Sequence, residues 1–308
     1  MLSSAESLIA PPYLKRGDTV VIVAIASKLK RKSIDAAVEQ IESWGLNVIV
    51  GESVGASDYT FSGTDEVRLR DFQVMLDDPN IRAIFSARGG YGSSRIIDQV
   101  NFAGFMSHPK WIVGFSDITA IHGKIQNLGF QSVHGPMPKT MSWDEKSDEH
   151  LQDILFGKSV EYSYSTHKAN RVGKGIGQVI GGNLALLTHS IGSSSDVNFN
   201  EKILFIEDVG EYLYNIDRLM VQLKRAGKLS NLVGLIVGQF SDVKENDELF
   251  GKTAYEIVEE HVSGRNYPVA YDFPIGHTND NWSLRCGEVM RLTVKKRGVV
   301  LQSLPFQQ

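Results

Sequence analysis

The sequence predicts an α/β protein in two parts, and three observations predict it. Residues 18–27 form a continuous apolar run of the kind buried on both faces of a parallel sheet. A strand, a helix and a second strand follow one another over residues 18–50, which is the βαβ unit with its right-handed crossover. At residues 111–119 an apolar strand breaks at a serine and a helical pattern begins, the pattern of strand, sharp turn and helix.

In chain order, the first strand follows Pro11 and Pro12. Ile34, Ala37, Val38, Ile41 and Trp44 then recur at helical spacing, Gly45 stops that helix, and residues 46–50 return to strand. Residues 51–63 are polar and glycine-rich, a loop. Val67, Leu69, Phe72 and Leu76 mark a helix over 65–76, and 81–86 is another strand. That strand runs into Arg88-Gly89-Gly90-Tyr91-Gly92, where glycines let the backbone approach a ligand and expose its N–H groups. The spacing is not Gly-x-Gly-x-x-Gly, no lysine follows as in a nucleotide loop, and no acid stands where a ribose contact needs one, so a dinucleotide site ranks last. Residues 130–137 close the first part. Ligands bind beyond the carboxyl ends of such strands, so the glycine loop and Ser116 are expected on one rim.

From about 141 to 175 the pattern turns polar and irregular, with one short helical stretch near 151–156. The expected division is an N-terminal α/β domain over 1–150, a linker over 151–175 and a C-terminal β/α domain over 176–308. In the latter, 177–183 reads as strand and turn, 184–189 as a short helix, and 202–206 as a strand ending on Glu207 and Asp208. Leu213, Ile216, Met220 and Leu223 share a helix face, 232–240 is a strand, 253–262 a helix, and 289–294 with 299–301 a strand pair. No internal repeat is evident.

Composition narrows the function classes. With 308 residues, 42% of them hydrophobic and 22% charged, the chain has material for folded cores and is long for one domain. A net charge of -4, from 32 basic and 36 acidic side chains, gives no basic surplus for phosphate-backbone binding, so nucleic acid is not an expected partner. The single cysteine, Cys286, cannot form an internal disulfide, and no Cys/His cluster has zinc spacing. No cationic start precedes an apolar core at residues 1–10, and no apolar run reaches a membrane span. A cytoplasmic protein without membrane contact or a zinc-spaced cluster is the expectation.

Ser116 is the candidate nucleophile, because a serine at a strand–helix corner exposes its hydroxyl while the next backbone N–H points toward what it attacks. The match to Gly-x-Ser-x-Gly is half complete, since Gly114 is present and Ile118 stands at the second glycine. The alternative is a Ser-Asp helix cap made by Ser116 and Asp117. A serine needs a base, and the base an acid to fix its tautomer. His277, in the turn-rich stretch 273–281, is the leading base and His134 its rival. Glu207, at the end of an apolar strand, is a candidate acid, and Asp208 or Glu211 could serve instead.

Together these stretches resemble the LD-carboxypeptidases, serine peptidases that trim murein tetrapeptides. The matching motifs are Arg88 to Gly92, Gly114-Phe115-Ser116-Asp117, Leu204-Phe205-Ile206-Glu207-Asp208 and Gly276-His277, in that order along nearly the whole chain. The resemblance implies an N-terminal flavodoxin-like or Rossmann-like domain, a C-terminal mixed β/α domain, a site between them and a homodimer. It implies a triad of Ser116, His277 and Glu207, an oxyanion hole from the N–H groups of Gly90 and Asp117, no metal, no cofactor, and acyl transfer that releases D-Ala from a small peptide. Arg88 and Tyr91 are substrate-binding candidates, and Arg95 is a further candidate for the terminal carboxylate. The stretch Trp282 to Gly287 departs from the family pattern after the histidine turn, and Arg285 within it is a candidate to alter substrate reading. A related branch, the microcin C immunity-type peptidases, cleaves peptide–nucleotide conjugates with the same triad and carries an added aromatic loop. A non-catalytic peptide- or sugar-binding module is the reading from another class.

Overall fold

The computed structural model of the chain describes residues 7–304. Its N-terminal half contains β1 (Thr19–Val23), α1 (Asp35–Ser43), β2 (Asn47–Val50), α2 (Asp65–Asp77), β3 (Ile81–Ser86), α3 (Ser93–Ile96), α4 (Ala103–Ser107), β4 (Trp111–Gly114), α5 (Thr119–Asn127) and β5 (Ser132–His134). Then come α6 (Glu145–Leu155), β6 (Glu161–Tyr164), β7 (Gly173–Asn183), α7 (Leu184–His189), β8 (Ile203–Val209) and α8 (Leu213–Arg225). β9 (Gly234–Ser241), α9 (Ala254–Val262), β10 (Val269–Ala270), β11 (Leu284–Cys286), β12 (Val289–Lys295) and β13 (Gly298–Ser303) complete the chain.

The α/β class is as expected. The first sheet runs β11-β5-β4-β3-β1-β2, with β2, β1, β3, β4 and β5 all parallel. The order 2-1-3-4-5 is that of flavodoxin-like folds, and it reverses direction between β1 and β3, where a crevice opens beyond the strand ends. Alternate residues of β1 explain why its sequence is apolar throughout. Val20 and Ile22 join one core cluster, and Val21 and Val23 join another on the opposite face. Each such aliphatic side chain contributes roughly 1.5–3 kcal/mol by its burial.

The second sheet runs β10-β9-β8-β7-β12-β13-β6. Its backbone is the long β7, whose first half pairs antiparallel with β12 and whose second half pairs parallel with β8. Val20 and Ile22 of the first sheet share a cluster with Val179, Ile203, Phe205 and Ile236 of the second, so one core runs through both sheets.

Two features differ from the expected division. The stretch 151–175 contains the end of α6, all of β6 and the start of β7, so it is built structure and not a plain linker. β6 escaped sequence reading because it is a short edge strand with polar, outward-facing Glu161 and Ser163. In addition, β11 leaves the C-terminal portion and joins the first sheet antiparallel to β5, placing Leu284 opposite His134 and Cys286 opposite Ser132. The chain therefore crosses back between the sheets, beside the candidate site. Among the described residues no helix is long and apolar enough to cross a membrane.

Candidate active site

The corner after β4 is held by packing. β4 is wholly buried, Phe115 is extended, and Ser116 takes φ 63°, a left-handed value that a non-glycine residue adopts at a cost of about 1–3 kcal/mol. A Cβ on Gly114 would meet Ile118 Cγ1 at 2.9 Å, which requires glycine there. The half-complete elbow motif thus has a physical reason, because Ile118 is fully buried and its side chain covers Gly114.

The helix-cap alternative does not match the geometry. Ser116 makes no cap hydrogen bond to the 3-10 turn at Ser116–Ile118, and its Oγ lies 3.0 Å from His277 Nε2. Asp117 does cap a helix, but a different one, since its Oδ2 accepts the N–H of Ser93 at 2.8 Å at the start of α3. Burial raises the Asp117 carboxyl against the lowering effect of the Ser93 and Gly92 N–H groups.

His277 reaches the serine from the turn after β10. Its Nδ1 lies 2.8 Å from Glu207 Oε2. A carboxylate can only accept, so Nδ1 carries the proton and the bare Nε2 accepts the Ser116 hydroxyl. Burial pushes the imidazole down, but the charge and hydrogen bond of Glu207, helped by Asp208 and Asp242, raise it on balance above its ordinary 6.5. The turn is anchored where Asn281 Oδ1 accepts the Gly276 N–H at 2.9 Å and where Gln239 N donates to Ile275 O at 2.9 Å. Gly276 is needed twice over. Its φ is 126°, and a Cβ there would sit 3.0 Å from Glu207 Oε2.

Glu207 is completely buried in β8, and the β8–β9 register shifts between Ile206 and Asp208. Such an irregularity re-aims side chains at a strand end. The other acids are engaged elsewhere. Asp208 accepts from Asn183 Nδ2 at 2.8 Å and Ala185 N at 3.0 Å, and burial with the adjacent Glu207 charge pushes it up to about 7. Glu211 accepts from Asn215 Nδ2. The rival base, His134, is fully buried, has no hydrogen-bond partner among the described residues and packs edge-on against Phe205. Desolvation holds it well below 6.5.

The glycine loop closes the constellation. A Cβ built on Gly89 would lie 3.2 Å from Ser116 Oγ and 3.3 Å from the Asp117 nitrogen, so the loop backs directly onto the serine. Family models match this chain as the LD-carboxypeptidase N-terminal domain over residues 20–135 and the LD-carboxypeptidase C-terminal domain over 176–292. The chain belongs to the LD-carboxypeptidase family. It is 32% identical to the probable murein peptide carboxypeptidase of Bacillus subtilis (strain 168), over 95% of this chain and 94% of that one. It is 26% identical to the microcin C7 self-immunity protein MccF of Escherichia coli, over 97% of each chain. Its fold matches the crystal structure of muramoyltetrapeptide carboxypeptidase from Oxalobacter formigenes with a TM-score of 0.84 at 25% identity, covering 94% of this chain and all of that one. It is a serine-type LD-carboxypeptidase by this membership.

Other predicted residues of this LD-carboxypeptidase divide between rim and scaffold. Arg88 donates through Nη1 to Lys28 O at 3.0 Å, while its Nη2 lies 3.7 Å from the position of a Gly90 Cβ, placing it at the loop. Tyr91 is half exposed with its ring 5.8 Å from Phe61. Arg95 is committed to Asp65 by a two-nitrogen contact, with Nη2 2.7 Å from Oδ2. Arg285 does not meet the expectation of a substrate reader. It is buried in β11, where its Nη2 donates to Ile154 O at 3.1 Å and Lys158 O at 2.6 Å and its Nη1 pairs with Glu288, so it ties β11 to the end of α6.

Sequence reading missed Arg68. It is fully buried, and its Nη1 donates to Ile25 O at 2.8 Å and Gly92 O at 2.9 Å, joining the end of β1 to the glycine loop, while Nη2 pairs with Asp65. The available signal was spacing, since Arg68 precedes the buried Phe72 and Leu76 by one and two i+4 steps on α2. Replacing it by methionine removes the Nη1 donor from Ile25 O and leaves Gly92 O with the Arg95 N–H at 3.2 Å as its other donor. With the buried ion pair to Asp65 also lost, an unfolding titration in urea should show a loss of about 3 kcal/mol or more. A loss under about 1 kcal/mol contradicts this account of the loop.

Proposed function

We propose that this enzyme hydrolyses the L,D bond that releases terminal D-Ala from murein tetrapeptides in cell-wall recycling. The observation that carries the reading is the relay from Ser116 Oγ through His277 to buried Glu207, set against a glycine loop. Ser116 attacks the carbonyl of the L-centre residue as His277 Nε2 takes its proton. Glu207 steadies the imidazolium, and the N–H groups of Gly90 and Asp117 receive the oxyanion. His277 then protonates the departing D-Ala, and water hydrolyses the acyl-enzyme by the same path in reverse. Arg88 and Tyr91 contact the substrate from the loop.

A second reading, cleavage of a peptide–nucleotide conjugate, draws on the likeness to the microcin C7 self-immunity protein. That alignment spans 344 positions against the 308 residues here, so the relative carries segments this chain lacks, which favours the muropeptide. The homodimer rests on the family resemblance and the cytoplasmic setting on the single cysteine, Cys286, and sedimentation velocity checks the first.

Incubation of the purified protein with a murein tetrapeptide, followed by mass spectrometry, should show release of D-Ala. Intact tetrapeptide together with a cleaved acyl-sulfamoyl nucleoside would replace the muropeptide reading by the second one.

A further inference from the structure

Next to the elbow lies a buried polar side chain that the triad does not use. His122, on α5, is fully buried, with Nε2 2.8 Å from Gly114 O and Nδ1 2.8 Å from Ser132 Oγ. A carbonyl can only accept, so Nε2 bears the proton and the bare Nδ1 accepts from the Ser132 hydroxyl. Burial holds this imidazole down at about 4, which keeps that neutral tautomer in place across the neutral range. The Gly114 carbonyl also accepts the Gly135 N–H at 3.2 Å. Two donors from different elements, α5 and the segment after β5, therefore grip the carbonyl two residues ahead of Ser116.

The contact closes a ring in the chain. Between Gly114 and His122 stand the whole elbow and the first turn of α5, including the left-handed Ser116. A strained backbone persists only where its surroundings over-determine it. The Ser132 end is fixed as well, since β5 lies between β4 and β11 in the sheet.

We propose that His122 is a positioning residue for the nucleophile, clamping the Gly114 carbonyl so that the strained Ser116 backbone stays aligned with His277 and the glycine loop. The inference rests on the reading of Ser116 as nucleophile. Without the clamp the Gly114 carbonyl is held by the Gly135 N–H at 3.2 Å alone, so the peptide plane before Phe115 gains freedom to tilt. A displacement of about 1 Å at a reacting atom costs on the order of 10²-fold in rate.

The test compares wild type, His122→Phe and His122→Gln for kcat and KM on the tetrapeptide, for the rate of Ser116 labelling by a fluorophosphonate, and for thermal stability. Phenylalanine fills the space without bonding, whereas glutamine offers an N–H to Gly114 and an oxygen to Ser132. The Phe variant should lose about 10- to 100-fold in kcat with KM within about threefold, labelling should slow in parallel, and Gln should recover most of both. A folded Phe variant with wild-type kcat and labelling overturns the proposal, as does a Gln variant that restores stability but not rate. If the Phe variant does not fold, Ser132→Ala frees the ring at Nδ1 and should lower kcat severalfold at constant KM, and no change there overturns the proposal too. A wild-type protein that neither releases D-Ala nor labels at Ser116 overturns the nucleophile reading itself, and this inference with it.

Discussion

Ser116→Ala should reduce D-Ala release by at least about 10³-fold while the protein remains folded, because the members of such a relay act as a unit and the hydroxyl alone forms the acyl bond. Mass spectrometry of the released amino acid measures the loss, and circular dichroism with thermal unfolding checks the fold. Ser116→Gly separates chemistry from strain. It also removes the hydroxyl, but glycine accepts φ 63° without the Cβ penalty, so stability should rise by roughly 0.5–1 kcal/mol while activity vanishes. Retained release in the Ala variant would falsify the nucleophile assignment and move that role to another group of the site.

Replacing Glu207 by glutamine should have the second-largest effect. The glutamine amide can donate to Nδ1, which turns the imidazole to the wrong tautomer and leaves no bare Nε2 for the serine, at a cost of about 10³- to 10⁴-fold in kcat. The pH profile supplies an independent readout. In the proposed mechanism His277 must be neutral to act as base. Burial, which lowers its titration, is outweighed by the charge and hydrogen bond of Glu207 together with the Asp208 and Asp242 charges, which place it above 6.5. Activity is therefore lost as pH falls through that raised value and gained as pH climbs past it. In Glu207→Gln the opposing charge is gone, burial dominates, and the acid limb of the residual activity should move to lower pH. A limb that stays in place, or a variant keeping a tenth of wild-type kcat, contradicts the assigned role.

The Arg68 and His122 predictions address the supports of the same site. Each concerns a fully buried polar side chain whose nitrogens bond backbone carbonyls within two residues of Gly90 or Ser116. Each adds a buried donor from another element to a carbonyl that already accepts one backbone N–H, so these contacts hold loop and elbow to one geometry.

The sequence by itself determined the α/β class, the strands at 18–27 and 111–114, and the chemical types gathered at Ser116, Glu207 and His277, because apolar runs, helical spacing and punctuation by glycine are local properties of the chain. It left Asp208, Glu211 and His134 open, since a carboxylate or imidazole at a strand end has the same local setting whether it faces a cleft or a core. Only the tertiary structure separated them, by bonding Asp208 to Asn183 and burying His134 against Phe205 while a register shift in β8–β9 brings Glu207 to His277. The return of β11 to the first sheet and the burial of Arg285 and Arg68 were likewise decided in three dimensions. Hydrogen-bond partners such as Arg68 and Gly92, 24 residues apart, leave no periodic trace between them. The hydrogen-bonded pairs Ser116–His277 and Glu207–His277 lie 161 and 70 residues apart along the chain, and what joins them is the packing of one sheet on another.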